Sequence, residues 1–302
     1  MVLQAAASAP SLQRFHAISA DVTIASENTR IIDEVTIWNY GHPPDIVWAN
    51  AGFAMPSLLL DASIETLRAQ MDVNYWAAVY LAQATLRAWL QPPKGDNVAI
   101  NAHAHKPLPR HFITTSSSVA FCGVAGYAPY SPAKAALRSL HDTLRSELNL
   151  YNGAAAASTS DNPRISQIKV HIVFPGTILT SGYTTENLTK HAVTKILEAG
   201  DPAQTEDEVA VAAIRELERG RSMITTQMLG AAMKVSALGG SMRDRWFVDT
   251  AFGWVTSIAW LFIGPDMEKK VWRWGRGMGC RCMGVDSFEK RHPRCFCFTT
   301  GM

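Results

Sequence analysis

The apolar positions of this chain follow two periods in alternation. Short apolar runs at residues 45–49, 111–115, 167–174 and 222–226 stop at turn residues, and between them apolar positions recur every three or four residues. The first pattern predicts buried strands and the second predicts amphipathic helices. A further strand is expected at 15–20 and a helix at 27–40. Residues 65–90 read as one long helix, with Leu67, Met71, Tyr75, Ala78 and Ala82 on a single face. Residues 129–150 read as another, with Pro132 in its first turn, where a missing N–H costs little. Residues 205–219 carry helix signals at both ends: Thr205 as N-cap, Glu208 three residues on, and Gly220 to close. Strand and helix in repeated alternation, with mainly apolar strands, predict an α/β fold with a parallel sheet covered on both faces. Residues 91–109 and 151–164 break the rhythm and read as solvent loops; no internal repeat is visible.

A different pattern occupies the C-terminal part. Residues 246–263 carry one charge, Asp249, and a helix of that length approaches the ~30 Å hydrocarbon core of a bilayer. Trp246, Trp254, Trp260, Trp272 and Trp274 are five of the nine tryptophans, a composition typical of membrane interfaces. Arg243, Arg245, Lys269, Lys270, Arg273 and Arg276 flank the run and suit anionic headgroups. The competing reading is a helix packed at a homodimer interface or over a substrate cleft. The chain thus divides into an α/β domain over 1–240, a membrane-associated helical segment over 241–276, and a cysteine-containing tail over 277–302, read as disordered.

Composition narrows the classes. Hydrophobic residues at 47% exclude a disordered chain, and a net charge of +2 with no basic stripe argues against nucleic acid. Charged residues make up 18%, a deficit that agrees with membrane contact. Five cysteines are too few for a disulfide scaffold, and Cys280-x-Cys282 with Cys295-x-Cys297 lack the two-residue spacers of a zinc site, so no metal is expected. His103, His105 and His111 read as solvent-facing. Residues 1–12 have no positive region ahead of an apolar run, so the expected address is cytosolic or a surface facing the cytosol.

The candidate chemistry lies in Thr114-Thr115-Ser116-Ser117-Ser118 and Tyr130-Ser131-Pro132-Ala133-Lys134. Tyr130 and Lys134 are four apart and share one helix face. An ammonium one turn from a phenol favours the phenolate and brings the tyrosine toward the range of a general acid. A serine hydroxyl at the end of the preceding strand can hold a carbonyl oxygen at the same point. Taken alone, a Tyr–Lys pair at this spacing is commonplace.

Four motifs in order change that picture: Asn50-Ala51-Gly52 after a strand, Asp72-Val73-Asn74 inside a helix, Ser117 thirteen residues before Tyr130 with Lys134 four after, and Pro175-Gly176-Thr177-Ile178 closing a later strand. On these the chain resembles the short-chain dehydrogenase/reductase family from about residue 15 to 226. The resemblance implies a Rossmann-like doubly wound sheet and a set of roles. Tyr130 would donate the proton to a carbonyl oxygen, Lys134 would bind the nicotinamide ribose and depress the Tyr130 pKa, and Ser117 would orient the carbonyl, with Ser116 as the alternative. Asn74 would hold a water that links Lys134 to solvent. Asn50 and Gly52 would line the cofactor cleft and Ile178 would meet the carboxamide. Asp21 would touch the adenine end, or else serve as an N-cap. The Tyr130–Lys134 segment, Phe174-Pro175-Gly176-Thr177 and the aromatic C-terminal segment are also similar to a membrane-bound fungal branch of the family. That likeness implies NADPH-dependent reduction of a long-chain keto-sphingoid base at the endoplasmic reticulum membrane, with the catalytic domain facing the cytosol. Reduction of another lipid ketone (steroid, retinoid or acyl chain) and a non-catalytic interaction module are the alternatives.

The chain departs from the family at its start. Its first glycine is Gly41, so nothing before residue 15 supplies the glycine-rich turn that meets the pyrophosphate, and the run from Gly275 to Gly279 comes too late. Residues 15–20 read as the family's third strand, with two strands and a helix unaccounted for. NADP(H) is therefore implied by resemblance only, and weak NADPH binding is expected of the chain as given.

Overall fold

The computed structural model describes residues 14–90, 108–157 and 166–278. Its centre is a parallel sheet of four strands: β1 (Ile46–Ala49), β2 (Arg110–Thr115), β3 (Ile168–Phe174) and β6 (Met223–Thr225), hydrogen-bonded in the order β1-β2-β3-β6. Two-residue strands β4 (Thr177–Ile178) and β5 (Ala203–Gln204) form a second small pair. Strand β3 is buried at every position but Lys169, as expected for an interior parallel strand. Strand β1 lies at the end of this order, and Ile46 is 63% exposed.

Helices cover both faces. Phe112 and Val170 pack with Ile32 of α1 (Ala25–Trp38), Ala82 and Trp89 of α3 (Ala77–Leu90) and Leu148 of α4 (Ser131–Ala157). Ile172, Phe174 and Met223 meet Leu137 of α4 and Val235 of α8 (Met228–Ser236). On the opposite face Ile113, Val173 and Ile224 meet Ala213 and Leu217 of α7 (Glu206–Glu218). Thr205 and Glu208 form the expected capping box at the start of α7.

Several expectations are corrected. Residues 15–20 pair with no strand; they are held along α1 by side chains instead. Arg14 stacks on Trp38 at 4.4 Å, His16 bonds Glu34 at 2.9 Å, and Arg30 donates to the Ser19 carbonyl at 2.7 Å. The helix expected at 65–90 is three consecutive pieces: α2 (Ile64–Met71), a π-helical turn (Asp72–Trp76) and α3. Residues 151–157 are not loop but the end of α4, in keeping with the helix propensity of their alanines. His111 is not solvent-facing: it sits half-buried on β2, with Nδ1 2.9 Å from His171 Nε2. His103, His105 and the cysteines at 280, 282, 295 and 297 lie outside the described residues. Three helices, α5 (Ser181–Thr189), α6 (Ala192–Glu198) and α8, were not expected from the sequence. The apolar stretch at 246–263 belongs to a longer helix, α9 (Trp246–Met278), long and apolar enough to cross a membrane.

Candidate active site

The carboxyl end of the sheet brings the expected residues together. Chain reversal after β2 puts Ser116 and Ser117 beside the first turn of α4. The Ser116 hydroxyl donates to the Lys134 carbonyl at 2.8 Å and is buried. That bond occupies Ser116 in fastening strand to helix. Ser117, with extended backbone, caps the short helical turn at Ser118–Ala120, and its hydroxyl is near enough to the Tyr130 phenol to pull that group's pKa down. Between the two serines, Ser117 is therefore the one directed at Tyr130.

Lys134 is 3% exposed, and its Nζ donates to the Thr115 carbonyl at 3.1 Å and lies 5.5 Å from the Tyr130 ring centre. The Thr115 hydroxyl donates to Asn50 Oδ1 at 2.6 Å and accepts from Trp48 Nε1 at 2.9 Å. Thr115 thus ties Asn50, at the end of β1, to the same point as Lys134, a link that the sequence motif did not reveal.

Asn74 lies in the π-helical turn, where the widened backbone turns its side chain inward; such turns recur at functional sites. Its Nδ2 donates to the Phe53 carbonyl at 2.9 Å and the Gln70 carbonyl at 3.0 Å, while its buried Oδ1 has no hydrogen-bond partner. Gly52 faces that oxygen. A Cβ there would stand 2.7 Å from Asn74 Oδ1 and 3.2 Å from Lys134 Nζ. Gly52, an orphaned acceptor and a buried ammonium thus line one tightly packed polar hollow, and the acceptor and the ammonium are the groups that would meet the hydroxyls of a nicotinamide ribose. For the phosphate end, no glycine-rich strand–turn–helix occurs among the described residues.

The remaining expected residues sit apart from this hollow. Ile178 is half-buried in β4, next to Leu179, whose N–H bonds the Gln204 carbonyl at 2.9 Å. Asp21 is exposed and accepts from the Thr23 N–H at 2.9 Å and hydroxyl at 2.6 Å. It shapes the turn before α1, whose N-cap is Ile24, so the N-cap reading of Asp21 is corrected.

Electrostatics in the unliganded site differ from expectation. Burial pushes the Tyr130 phenol above its ordinary range, Glu186 pushes further, and the Ser117 bond pulls it back only partly. Burial also weakens the cation expected to lower it, bringing Lys134 from 10.5 to about 8. Tyr130 is thereby held in its protonated form at neutral pH.

A wall unforeseen in the sequence stands beside Tyr130. Tyr127 packs its ring 5.9 Å from that of Tyr130 and donates to Glu186 Oε1 at 2.6 Å. Lys190 bridges Glu186 at 2.8 Å and Glu198 at 2.7 Å. The available signal was the four-residue spacing of Glu186 and Lys190 in a polar segment with no helical apolar period.

Comparison with known proteins identifies the family and the fold. The family model described as short chain dehydrogenase matches residues 2–192. The chain is 48% identical over 265 residues to 3-ketodihydrosphingosine reductase ksrA of Aspergillus fumigatus, covering 87% of this chain and 70% of that protein. It is 40% identical over 278 residues to 3-ketodihydrosphingosine reductase gsl-3 of Neurospora crassa, covering 92% and 72%. Among solved structures, a short chain dehydrogenase/reductase from Burkholderia phymatum in complex with NAD superposes with a TM-score of 0.53 at 15% identity, covering 70% of each chain. A short chain dehydrogenase from Burkholderia cenocepacia in complex with NADP gives 0.51 at 19% identity, covering 72% and 73%. These two bear on the fold.

Proposed function

The chain belongs to the short-chain dehydrogenase/reductase family, and from that premise we propose that it reduces the 3-keto group of a long-chain sphingoid base to the alcohol, with NADPH as reductant. The observation that carries the chemistry is the convergence of Ser117, Tyr130 and Lys134 beside the hollow at Gly52 and Asn74. The relatives' names support the substrate, and the choice of NADPH rests on the reductive direction that they imply.

A bound nicotinamide coenzyme supplies the hydride to the carbonyl carbon. Ser117 hydrogen-bonds the carbonyl oxygen and fixes it against Tyr130. Tyr130 donates its phenolic proton as that oxygen gains charge; its raised pKa keeps the proton on the phenol until then. Lys134 holds the ribose hydroxyls and its charge supports the phenolate left on Tyr130. Asn74 Oδ1 receives a water that returns a proton through Lys134. Asn50 and Gly52 would line the coenzyme cleft, and Ile178 would meet the carboxamide.

The substrate is a lipid, and α9 supports attachment to a membrane, which for sphingoid-base synthesis we assign to the endoplasmic reticulum with the catalytic domain on the cytosolic side. Trp246, Phe247, Trp254, Ile258, Leu261 and Phe262 on this helix are each 61–75% exposed. Apolar patches of this kind mark membrane or partner contacts. The same face could serve a homodimer, and the membrane is favoured by the tryptophans and the flanking cations.

The test is direct. Purified protein in mixed micelles with synthetic 3-keto sphingoid base and NADPH should consume both and release the 3-hydroxy product by mass spectrometry. Tyr130→Phe should cut turnover by about 10²- to 10⁴-fold, the usual contribution of acid–base catalysis, with coenzyme binding retained. Turnover above a tenth of wild type would remove Tyr130 from the role of proton donor.

A further inference from the structure

Lys190 is 1% exposed at its side chain, and its ammonium lies between two carboxylates, Glu186 and Glu198. The rings of Tyr127 and Tyr183 enclose it at 5.5 and 5.0 Å. Among the described residues Lys190 is the only cation paired with either carboxylate. Two carboxylates against one ammonium leave a formal negative charge, and Asp201, which also feels Glu198 and Lys190, adds to it. A buried charge without a counter-charge is costly unless something completes the pairing.

The position of that surplus charge is fixed by close packing. Gly126 has φ +96° and leaves no room for a Cβ, which would come within 1.9 Å of Thr194 Oγ1. The Thr194 hydroxyl donates to the Ala125 carbonyl at 2.8 Å. Helix α6 is thereby clamped onto the loop that carries Tyr127 and Tyr130, and Glu186 is one hydrogen bond from Tyr127.

We propose that Glu186 is the specificity-determining carboxylate of this active site and receives an ammonium group carried by the substrate on the carbon next to the ketone. This rests on the reductase reading above. When the carbonyl oxygen meets Ser117 and Tyr130, one of the two carbons next to the carbonyl can face the Tyr127 side of Tyr130, and Glu186 is the carboxylate bonded to Tyr127 there. An aminoketone completes the charge pairing, whereas a ketone without the amine leaves it incomplete. Specificity then comes from attraction to one substrate together with an unmatched charge against the other. The bound cation would also offset the push that Glu186 exerts on the Tyr130 phenol, so catalysis would be assisted by the substrate itself.

The experiment compares two ketones of equal chain length in the same micelles, the 2-amino-3-ketone and its analogue with hydrogen in place of the amine. Wild type should prefer the aminoketone in kcat/KM. Glu186→Gln should reduce that preference by about 10- to 100-fold, mainly through KM, the scale of one hydrogen bond to a charged group. Glu198→Gln removes one negative charge from the cluster but leaves Glu186 in place, and should reduce the same ratio by a smaller factor. Equal losses on both ketones would mean that the cluster only props the wall, and an unchanged ratio in both variants would mean that the ammonium binds elsewhere; either result overturns the inference. A wild-type enzyme that reduces neither ketone would instead overturn the reductase reading beneath it.

Discussion

The Ser116 hydroxyl donates to the carbonyl oxygen of Lys134 at 2.8 Å, joining the end of β2 to the first turn of α4. Two adjacent serines therefore have separable jobs. Ser116→Ala should cost about 1–3 kcal/mol of stability, the scale of a buried polar group that loses its partner, with most turnover retained. Ser117→Ala should leave the denaturation midpoint nearly unchanged and lower kcat by about 10²-fold or more. Chemical denaturation and steady-state kinetics on the pair would check this. A larger kinetic loss in Ser116→Ala would reverse the assignment.

Gly52 is the tightest point of the coenzyme hollow. A methyl group there would come 2.7 Å from Asn74 Oδ1, inside contact distance of an atom whose amide is held by two backbone carbonyls. The side chain cannot rotate away without breaking those bonds. Gly52→Ala should therefore weaken coenzyme binding about tenfold or more, because the added methyl displaces Asn74 and crowds Lys134, the groups that would hold the ribose. Titration followed by nicotinamide fluorescence would measure it. Unchanged affinity would place the ribose elsewhere.

Lys134 links activity and stability to pH with opposite signs. Burial lowers its pKa from 10.5 to about 8 in the folded, unliganded protein. As pH rises through about 8 the ammonium is lost, so NADPH affinity and kcat/KM should fall. Between about 8 and 10.5 the unfolded chain binds a proton on this residue that the folded chain does not. Its contribution to stability therefore rises with pH across that window. Comparing wild type with Lys134→Met should show the stability rise only in wild type. A parallel pH response in both proteins would mean that Lys134 keeps its ordinary pKa.

The sheet and the catalytic residues were legible because they depend on local pattern. Strands buried on both faces read as apolar runs, and Tyr130 with Lys134 needs only one helical turn. Ser116 and Ser117 could not be separated by sequence, since the distinction is a hydrogen bond to a carbonyl eighteen residues away. The fall in the Tyr130 pKa was misjudged because proximity of Lys134 is visible in the spacing but desolvation is not. Residues 15–20 look like a strand by composition, yet a strand needs a neighbour, and Arg14, His16 and Arg30 anchor this segment to α1 instead. The Glu186–Lys190–Glu198 cluster offered only the four-residue spacing of Glu186 and Lys190, because Glu198 joins it from a second helix through tertiary contacts such as Thr194 to Ala125.

The last prediction concerns how α9 meets the membrane. Its 33 residues span about 50 Å, more than the ~30 Å core of a bilayer, so length permits a crossing. Packing argues otherwise. Asp249, Gly253 and Thr256 are buried, and Trp260, Gly264, Met267, Val271 and Trp274 continue the same stripe half-buried at three- and four-residue steps. Near one end, a Cβ on Gly253 would touch the Val235 carbonyl of α8 at 3.2 Å. At the other end, Trp274 packs edge-on against His191 at the start of α6, with ring centres 4.7 Å apart. Asp249 and Trp274 are separated by about 37 Å of helix, yet both ends of the stripe dock on one domain. A helix fixed in this way runs along the domain surface, and its outer apolar face lies in the membrane plane as an interfacial anchor. In a background with the five native cysteines replaced, Lys270→Cys on vesicle-bound protein should react with a membrane-impermeant thiol reagent from the same side as the catalytic domain. Labelling only after the vesicles are opened would show that α9 crosses the bilayer. Free solubility of the full chain without detergent or lipid would assign the apolar face to a second copy of the protein.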